Sequence, residues 1–255
     1  MPKFYESWES YFYPETYDPD TRQGTLRNLF GERDVELLKQ FEKVETASRL
    51  YELETNQVAI ERTFDSAHLR SLHSYIFQHV YEWAGQYRTV GIAKGYSSFA
   101  DVTMIDRYLN DMHDLVERTK WNTLDKTGFS AQIATVYALL NQAHPFREGN
   151  GRAGKVFLHH VAQLSNFTLR FDHVTPREWN QASALSGPDL GSYEVVPDSL
   201  IPIFEQISPP KATVRPPLPG IGEVPQIKKL YHPTRHIAPQ PRQSRGRSHG
   251  YGRGM

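Results

Sequence analysis

A glycine-rich segment between two helical patterns constrains this chain more than any other feature of its sequence. It runs His144-Pro-Phe-Arg-Glu-Gly-Asn-Gly-Arg-Ala-Gly-Lys155 and lies between an apolar pattern that ends near Ala143 and a second one over 156–161. Gly149 and Gly151 allow backbone N–H groups to approach an anion closely, and the start of the next helix adds unpaired N–H groups and the positive end of its dipole. The segment therefore predicts a helix, a phosphate-binding loop and a second helix.

The side chains of this segment predict what would surround a bound polyphosphate. Arg152 and Lys155 are three residues apart, so both would lie on one face of the new helix and reach the phosphates. Glu148 would repel the same phosphates unless a divalent ion lay between them, and Mg²⁺ suits one carboxylate together with phosphate oxygens and water. Asn150 offers an uncharged hydrogen bond. His144 is the group here that accepts a hydroxyl proton near neutral pH.

Apolar residues recur at helical spacing in four stretches and predict a mainly α-helical domain. These residues are Val35, Leu38, Phe41 and Val44; Leu69, Leu72, Ile76 and Val80; Ile105, Leu109, Met112 and Val116; and Ile133, Val136, Tyr137 and Leu140. Helix starts are predicted at Asp65-Ser66, at Asp101 and at Thr127–Ser130. The one hairpin candidate runs from Tyr87 to Phe99, with Lys94-Gly95 as its turn.

The C-terminal part of the chain differs in composition from the rest. Residues 209–255 hold nine of the 29 Lys and Arg residues but one of the 29 Asp and Glu residues, so 1–208 and 209–255 carry about −8 and +8. This part also has 9 Pro and 6 Gly, and it lacks the large apolar residues that would offset its ordering entropy. We expect a folded domain over 1–208 and a disordered basic tail over 209–255. A solvating role is the default for such a tail, and weak nucleic-acid contact or a secretion signal are the alternatives.

The rest of the composition bears on location and on metal binding. The chain has no cysteine, so any metal must be bound by oxygen or histidine. No stretch approaches the roughly 20 apolar residues that a membrane helix needs, and the N-terminus lacks the order of a secretory signal. We therefore expect a cytoplasmic protein without membrane contact.

The segment from His144 to Lys155 is similar to the signature of the Fic family, His-x-Phe-x-(Asp/Glu)-Gly-Asn-Gly-Arg-x-x-Arg, and matches all but its last position. The resemblance extends over most of residues 10–205, including Phe64–Leu69 and Tyr81–Arg88. It implies a Fic-type helical bundle and a protein adenylyltransferase that moves AMP from ATP to a Ser, Thr or Tyr hydroxyl. It also implies that a target segment pairs with the edge of a hairpin flap, here Lys94-Gly95 through Phe99.

By position, the resemblance also implies a role for each residue of the segment. His144 would be the base and Glu148 the Mg²⁺ carboxylate. Asn150 and the backbone from Gly149 to Arg152 would cradle the α-phosphate, and Arg152 would hold the β-phosphate. Phe146 would be structural and anchor the loop in the core.

The segment departs from related signatures at two points. The family's second Arg is Lys155 here, which replaces a planar five-donor fork with a point charge. Gly-Asn-Gly-Arg also differs from the Gly-Asn-Lys-Arg of Doc-type toxins, which resemble Fic proteins but act as kinases, and this favours AMP transfer over phosphorylation. Two alternatives stay open: a degenerate domain that binds a partner without turnover, which Lys155 alone supports, and a transferase that uses another nucleotide donor.

The sequence contains no match to the inhibitory helix of the family, and three histidines share one predicted helix. Many family members carry an inhibitory helix of the form (Ser/Thr)-x-x-x-Glu-(Gly/Asn), and this chain has no match, since Ser48–Glu52 is followed by Leu53. A separate antitoxin protein is therefore expected, with this chain as a toxin or effector. His68, His73 and His79 have no i, i+4 pair in their helix and are interpreted as ordinary helix residues.

Overall fold

A computed structural model describes residues 5–94 and 97–211, so the predicted turn residue Gly95 and the tail beyond Lys211 lie outside the described residues. Within them the chain forms α1 (Val35–Glu54), α2 (Ser66–Phe77), α3 (Ile105–Arg118), α4 (Lys126–Ala143), α5 (Asn150–Ala162), α6 (Pro176–Leu185) and α7 (Ile201–Ile207). None of these helices is long and apolar enough to cross a membrane. The prediction of a mainly α-helical chain is confirmed.

Strand structure in the described residues is limited to one short antiparallel pair and a few isolated bridges. β1 (Ala93–Lys94) pairs with β2 (Ser97–Ser98), and Ala93 lies opposite Ser98. The pair falls inside the range in which the sequence predicts a hairpin.

Helix starts follow the side chains that cap them. The Asp65 carboxylate accepts the N–H of His68 at 2.9 Å and begins α2, as predicted. Asp101 caps a single 3₁₀ turn that leads into α3. The prediction for α4 is wrong by a few residues: Asp125 accepts the N–H of Gly128 at 2.8 Å, so Thr127 and Ser130 lie inside the helix. The carboxylate of Asp125 accepts an N–H that has no partner within the helix, and so the helix begins a few residues before the predicted start.

Helix α4 lies at the centre of the domain, with α3, α5 and α7 packed against it. Most of its side chains are buried, including Phe129, Ile133 and Val136. The apolar residues predicted for α2, α3 and α4 are all buried, which fixes the ends of α4 and α5 against one continuous core. Both helix ends that flank the glycine-rich loop are therefore held rigidly.

Helix α1 departs from its predicted packing. Of the four apolar residues in its pattern, Leu38 alone is buried, and Val44 is 72% exposed. The inner face of α1 carries Glu42 and Thr46 beside Leu38 and Leu53. The helix was predicted correctly but its inner face was not, because α1 meets the rest of the domain partly through polar side chains.

The described backbone continues past the expected boundary at residue 208. The N–H of Lys211 donates to the carbonyl of Asn166 at 2.9 Å, and that of Thr168 donates to Pro209 at 3.1 Å. Pro210 also forms an isolated bridge with Phe167, so three residues assigned to the tail pair with the segment after α5.

Candidate active site

The loop between α4 and α5 begins and ends on a residue with a left-handed backbone. His144 caps α4 with φ 38° and ψ 58°, and its N–H donates to Leu140 at 3.1 Å. Gly149 caps α5 with φ 84°, and no side chain caps this helix start. A left-handed residue is costly for a side chain such as that of histidine, so the surrounding contacts must stabilise His144 in this conformation.

Phe146 and Asn150 close the loop between these two residues. Phe146 is 1% exposed, and its ring lies 3.8 Å from that of His73, which confirms its expected structural role. The Asn150 carboxamide accepts the N–H of Phe146 at 2.9 Å and donates to its carbonyl at 2.7 Å. The group expected to bind phosphate is therefore engaged by the loop itself.

His73 of α2 holds the loop between α4 and α5 by a hydrogen bond, so its interpretation as an ordinary helix residue is corrected. Its Nδ1 accepts the N–H of Gly85 at 2.8 Å, so its Nε2 carries the proton and donates to the carbonyl of Glu148 at 2.9 Å. Burial lowers the pKa of His73 to about 3, which keeps the ring neutral. A Cβ on Gly149 would meet the Phe77 ring at 2.3 Å, so only glycine fits against this support.

A cavity of about 910 Å³ joins the two ends of the loop. It is lined by His144, Glu148 and the first residues of α5, and on the far side by Trp179 and Asn180 of α6 and by residues 187–192. This volume lies within the range of small-molecule sites. The proposed base and the uncapped start of α5 thus face one space that is large enough for a nucleotide.

Arg152 is held by α1. Its Nη2 lies 2.5 Å from Oε1 of Glu42, its Nη1 lies 3.2 Å from Oγ1 of Thr46, and its guanidinium lies 4.6 Å from the centre of the Phe77 ring. The hydroxyl of Tyr81 donates to the other oxygen of Glu42, and burial beside this carboxylate raises the pKa of Tyr81. Sequence reasoning missed Glu42, although a glutamate on the inner face of a helix is a signal for such a partner.

Lys155 points to a different neighbour. Its Nζ lies 5.0 Å from the centre of the Phe171 ring and 5.5 Å from that of Trp179, and burial lowers its pKa. Arg152 and Lys155 both lie outside the lining of the cavity. The helical spacing predicted that both cations reach one polyphosphate; in the structure Arg152 pairs with Glu42, and Lys155 lies over two aromatic rings.

Glu148, the expected Mg²⁺ carboxylate, lies at the wall of the cavity. Its side chain is 49% exposed, lines the cavity and receives the N–H of Gly149 at 3.0 Å. The described residues contain no group of three or more His, Asp and Glu that would hold a metal ion without other ligands. Mg²⁺ accepts one carboxylate when phosphate and water supply the remaining oxygens, so Glu148 fits a metal that arrives with a nucleotide.

Arg147, between Phe146 and Glu148, ties the loop to the N-terminal segment. Its guanidinium lies 3.8 Å from the Trp8 ring and 5.1 Å from the Phe12 ring, and burial lowers its pKa. Aromatic residues near the chain start therefore cover the loop and exclude water from one side of it.

Comparison with known proteins identifies relatives of the whole site region. The family model described as Fic/DOC matches residues 63–162. The protein adenylyltransferase VbhT of Bartonella schoenbuchensis is 35% identical over 167 residues, which cover 65% of this chain and 34% of VbhT. The probable protein adenylyltransferase Fic of Escherichia coli is 30% identical over 182 residues, which cover 71% of this chain and 86% of that protein. The chain thus spans about a third of VbhT but most of the Escherichia coli protein.

Solved structures give the same relationship. The N-terminal Fic domain of a VirB-translocated effector of Bartonella quintana, with bound ADP, has a TM-score of 0.67 and 26% identity, covering 80% of this chain and 96% of that domain. The effector BepC of Bartonella tribocorum, with bound AMPPNP, has a TM-score of 0.66 and 25% identity, covering 80% of this chain and 98% of that structure.

Proposed function

This chain belongs to the Fic/DOC family, and on that basis we propose that it is a protein adenylyltransferase. It moves AMP from Mg-ATP to a Ser, Thr or Tyr hydroxyl of a target protein. One observation carries the proposal: His144 and the uncapped N-terminus of α5 face the same cavity. The names of the two relatives, protein adenylyltransferase and probable protein adenylyltransferase, agree with it.

In the proposed reaction, His144 and the start of α5 have separate roles in AMP transfer. His144 accepts the proton of the target hydroxyl, whose oxygen forms a bond to the α-phosphorus of ATP. The bond from that phosphorus to the bridging oxygen breaks, and pyrophosphate leaves. The first N–H groups of α5, at Asn150 and Gly151, have no intrahelical acceptors and stabilise the charge that develops on the α-phosphoryl oxygens.

Glu148 and Arg152 act on the rest of the nucleotide. Glu148 would hold Mg²⁺, which would neutralise charge on the phosphates when bound. Arg152, whose Nη2 lies 3.9 Å from the cavity-lining carboxylate of Glu148, contacts the β-phosphate, and its guanidinium is shared between that phosphate and the carboxylate of Glu42. The role expected of Lys155 is not part of the proposal, since its ammonium group lies over Phe171 and Trp179.

The target segment docks on the β1–β2 hairpin as an added strand. Phe99, which follows β2, supports this arrangement because its ring stacks on that of His144 at 3.7 Å. A hydroxyl side chain on a strand that is paired with the hairpin is thereby delivered close to the base.

Inhibition is proposed to come from a separate protein. Glu52, the acidic residue of the stretch nearest to the inhibitory pattern, pairs with Arg49 at 2.9 Å and receives the Tyr75 hydroxyl, so its carboxylate is engaged away from α5. The isolated chain should therefore transfer AMP without prior removal of any segment. An isolated chain that became active only after a deletion would contradict this part of the proposal.

The test of the activity determines whether the α-phosphate or the γ-phosphate of ATP is transferred to protein. The chain is incubated with Mg²⁺, a cell extract and ATP labelled either at the α- or at the γ-phosphate, and labelled proteins are weighed intact. Label from the α-position and a gain of one AMP are expected. Label from the γ-position and a gain of one phosphate would indicate a kinase, and no label with intact ATP binding would indicate a binding module.

His144→Ala is the matched variant for this experiment. It should keep the fold and ATP affinity but lower the transfer rate by on the order of 10² to 10⁴, as is typical of a lost general base. His79→Ala, at an exposed histidine that pairs with Glu45, serves as the control and should transfer normally. Activity of His144→Ala within tenfold of the wild type would reject the assigned role.

A further inference from the structure

Arg88 is a buried cation whose hydrogen bonds all go to backbone carbonyl groups. It is 2% exposed, and among the described residues no carboxylate lies within ion-pair distance of it. Burial lowers its pKa. A charge this deep must be compensated by hydrogen bonds with good geometry, so the positions of its acceptors are tightly constrained.

The acceptors lie in three separate places. Nη1 donates to the carbonyl of Val90, shortly before β1, at 2.8 Å, and Nη2 donates to that of Ala100, after β2, at 2.5 Å. Nη2 also contacts the carbonyl of Ala143 at 3.3 Å, and Nε donates to that of His144 at 2.8 Å. One planar guanidinium therefore connects both ends of the hairpin to the C-terminal end of α4, where the helix dipole favours a cation.

Backbone hydrogen bonds strengthen the same connection. The N–H of Arg88 donates to the carbonyl of Pro145 at 2.8 Å, and that of Ala100 donates to Gln142 at 2.9 Å. The strained left-handed backbone of His144 is thus held by hydrogen bonds to the residues before and after it in the chain. Its ring stacks on Phe99, the residue before Ala100.

We propose that Arg88 is a positioning residue that fixes His144 relative to the hairpin. The inference rests on the proposed function, in which the hairpin presents the target hydroxyl and His144 accepts its proton. A proton acceptor must lie within hydrogen-bond reach of the hydroxyl, so a small shift between hairpin and base slows transfer. Arg88 does not line the cavity, so we expect ATP affinity not to depend on it.

The test separates positioning of the base from general support of the fold. Arg88→Lys keeps the charge but loses the planar fork, and it should lower the single-turnover transfer rate at least tenfold while ATP affinity stays within twofold. Arg70→Lys is the control, because Arg70 is an exposed arginine that also donates to a backbone carbonyl, that of Gly85, but lies outside the connection between the hairpin and His144. It should transfer within twofold of the wild type.

A double-mutant cycle shows whether Arg88 acts through His144. In a His144→Ala background, Arg88→Lys should cause less than a twofold further loss. An equal fold-loss in both backgrounds would overturn the proposal, and so would a parallel loss of rate and ATP affinity. If Arg88→Lys fails to fold, Arg88→Gln, which keeps two side-chain N–H donors, takes its place and should show the same split between rate and ATP affinity; unchanged kinetics would then overturn the proposal.

Amide hydrogen exchange tests the inference without any activity. The N–H groups of Ala100 and His144 should exchange at least tenfold faster in Arg88→Lys than in the wild type. If the wild type transfers no nucleotide, the proposed function fails while this measurement still decides the role of Arg88. Unchanged exchange at both amides would contradict that role.

Discussion

The Nη2 atom of Arg152 lies 2.5 Å from the Oε1 atom of Glu42, a residue 110 positions earlier in the chain. The side chain of Glu42 is 15% exposed, and its carboxylate also receives the Tyr81 hydroxyl. In the proposed complex, part of the charge that Arg152 offers to the nucleotide is therefore already neutralised by α1.

Replacing Glu42 tests whether this pair competes with phosphate. Glu42→Gln keeps the shape of the side chain and removes its charge, so Arg152 should bind phosphate more strongly. We expect ATP affinity to rise about fivefold, on the order of 1 kcal/mol, by calorimetry at low salt, and the gain to shrink as salt is added. The control is Glu45→Gln, which removes a carboxylate that pairs with Arg49 and His79 instead. Weaker ATP binding in Glu42→Gln would mean that Glu42 orients Arg152 rather than competing for it.

Lys155 is expected to act on stability rather than on nucleotide binding. Lys155→Ala removes a cation from two aromatic rings and should lower the free energy of unfolding by about 1 kcal/mol, measured by urea denaturation. Lys155→Arg preserves the stacking and should leave ATP affinity within twofold. Tenfold weaker ATP binding in Lys155→Ala would show that the ammonium leaves the rings for the phosphates, as the sequence predicted.

Two glycines of the loop form a matched pair. Gly149→Ala places a Cβ against the Phe77 ring on a backbone with positive φ. It should lower the free energy of unfolding by about 3 kcal/mol or more and abolish transfer. A Cβ on Gly151 meets no atom within 4 Å, so Gly151→Ala should leave thermal unfolding unchanged or slightly higher.

The same Gly151→Ala variant tests the phosphate cradle. Its methyl group would stand at the cavity wall, where the backbone is proposed to approach the nucleotide, so ATP affinity should fall about tenfold despite an intact fold. Unchanged affinity would place the nucleotide away from this helix start.

Stability should decrease in acid because of buried neutral histidines. His68 is 1% exposed, and burial lowers its pKa to about 4, below the 6.5 of an unfolded chain. The unfolded state therefore binds more protons below pH 6.5, and this contribution is lost as the pH falls from about 6.5 to 4. His68→Gln should reduce the slope of unfolding free energy against pH by up to about 1.4 kcal/mol per unit, measured by urea denaturation between pH 7 and 4.5.

A slope in His68→Gln equal to that of the wild type would mean that His68 is hydrated in the folded protein.

The sequence by itself determined the helical class and the position of the candidate site. Apolar spacing in α2, α3 and α4 is a local property that burial confirms, and the residues from His144 to Gly151 are contiguous, so a loop and a helix start bring them to one cavity. The family resemblance likewise implied that Phe146 anchors the loop, and its burial in the core confirms that role.

The tertiary structure alone decided which distant groups act on that site. No local pattern in the sequence connects the partners of these contacts. Glu42 pairs with Arg152, and Arg88 donates to the carbonyl of His144. Gly85 donates to His73, which in turn donates to the carbonyl of Glu148. The same holds for Lys155, whose spacing from Arg152 predicted a shared ligand but whose ammonium lies over aromatic rings. The direction of a long polar side chain depends on which charges and rings the packed helices bring within reach, and that depends on the assembled core rather than on residue spacing.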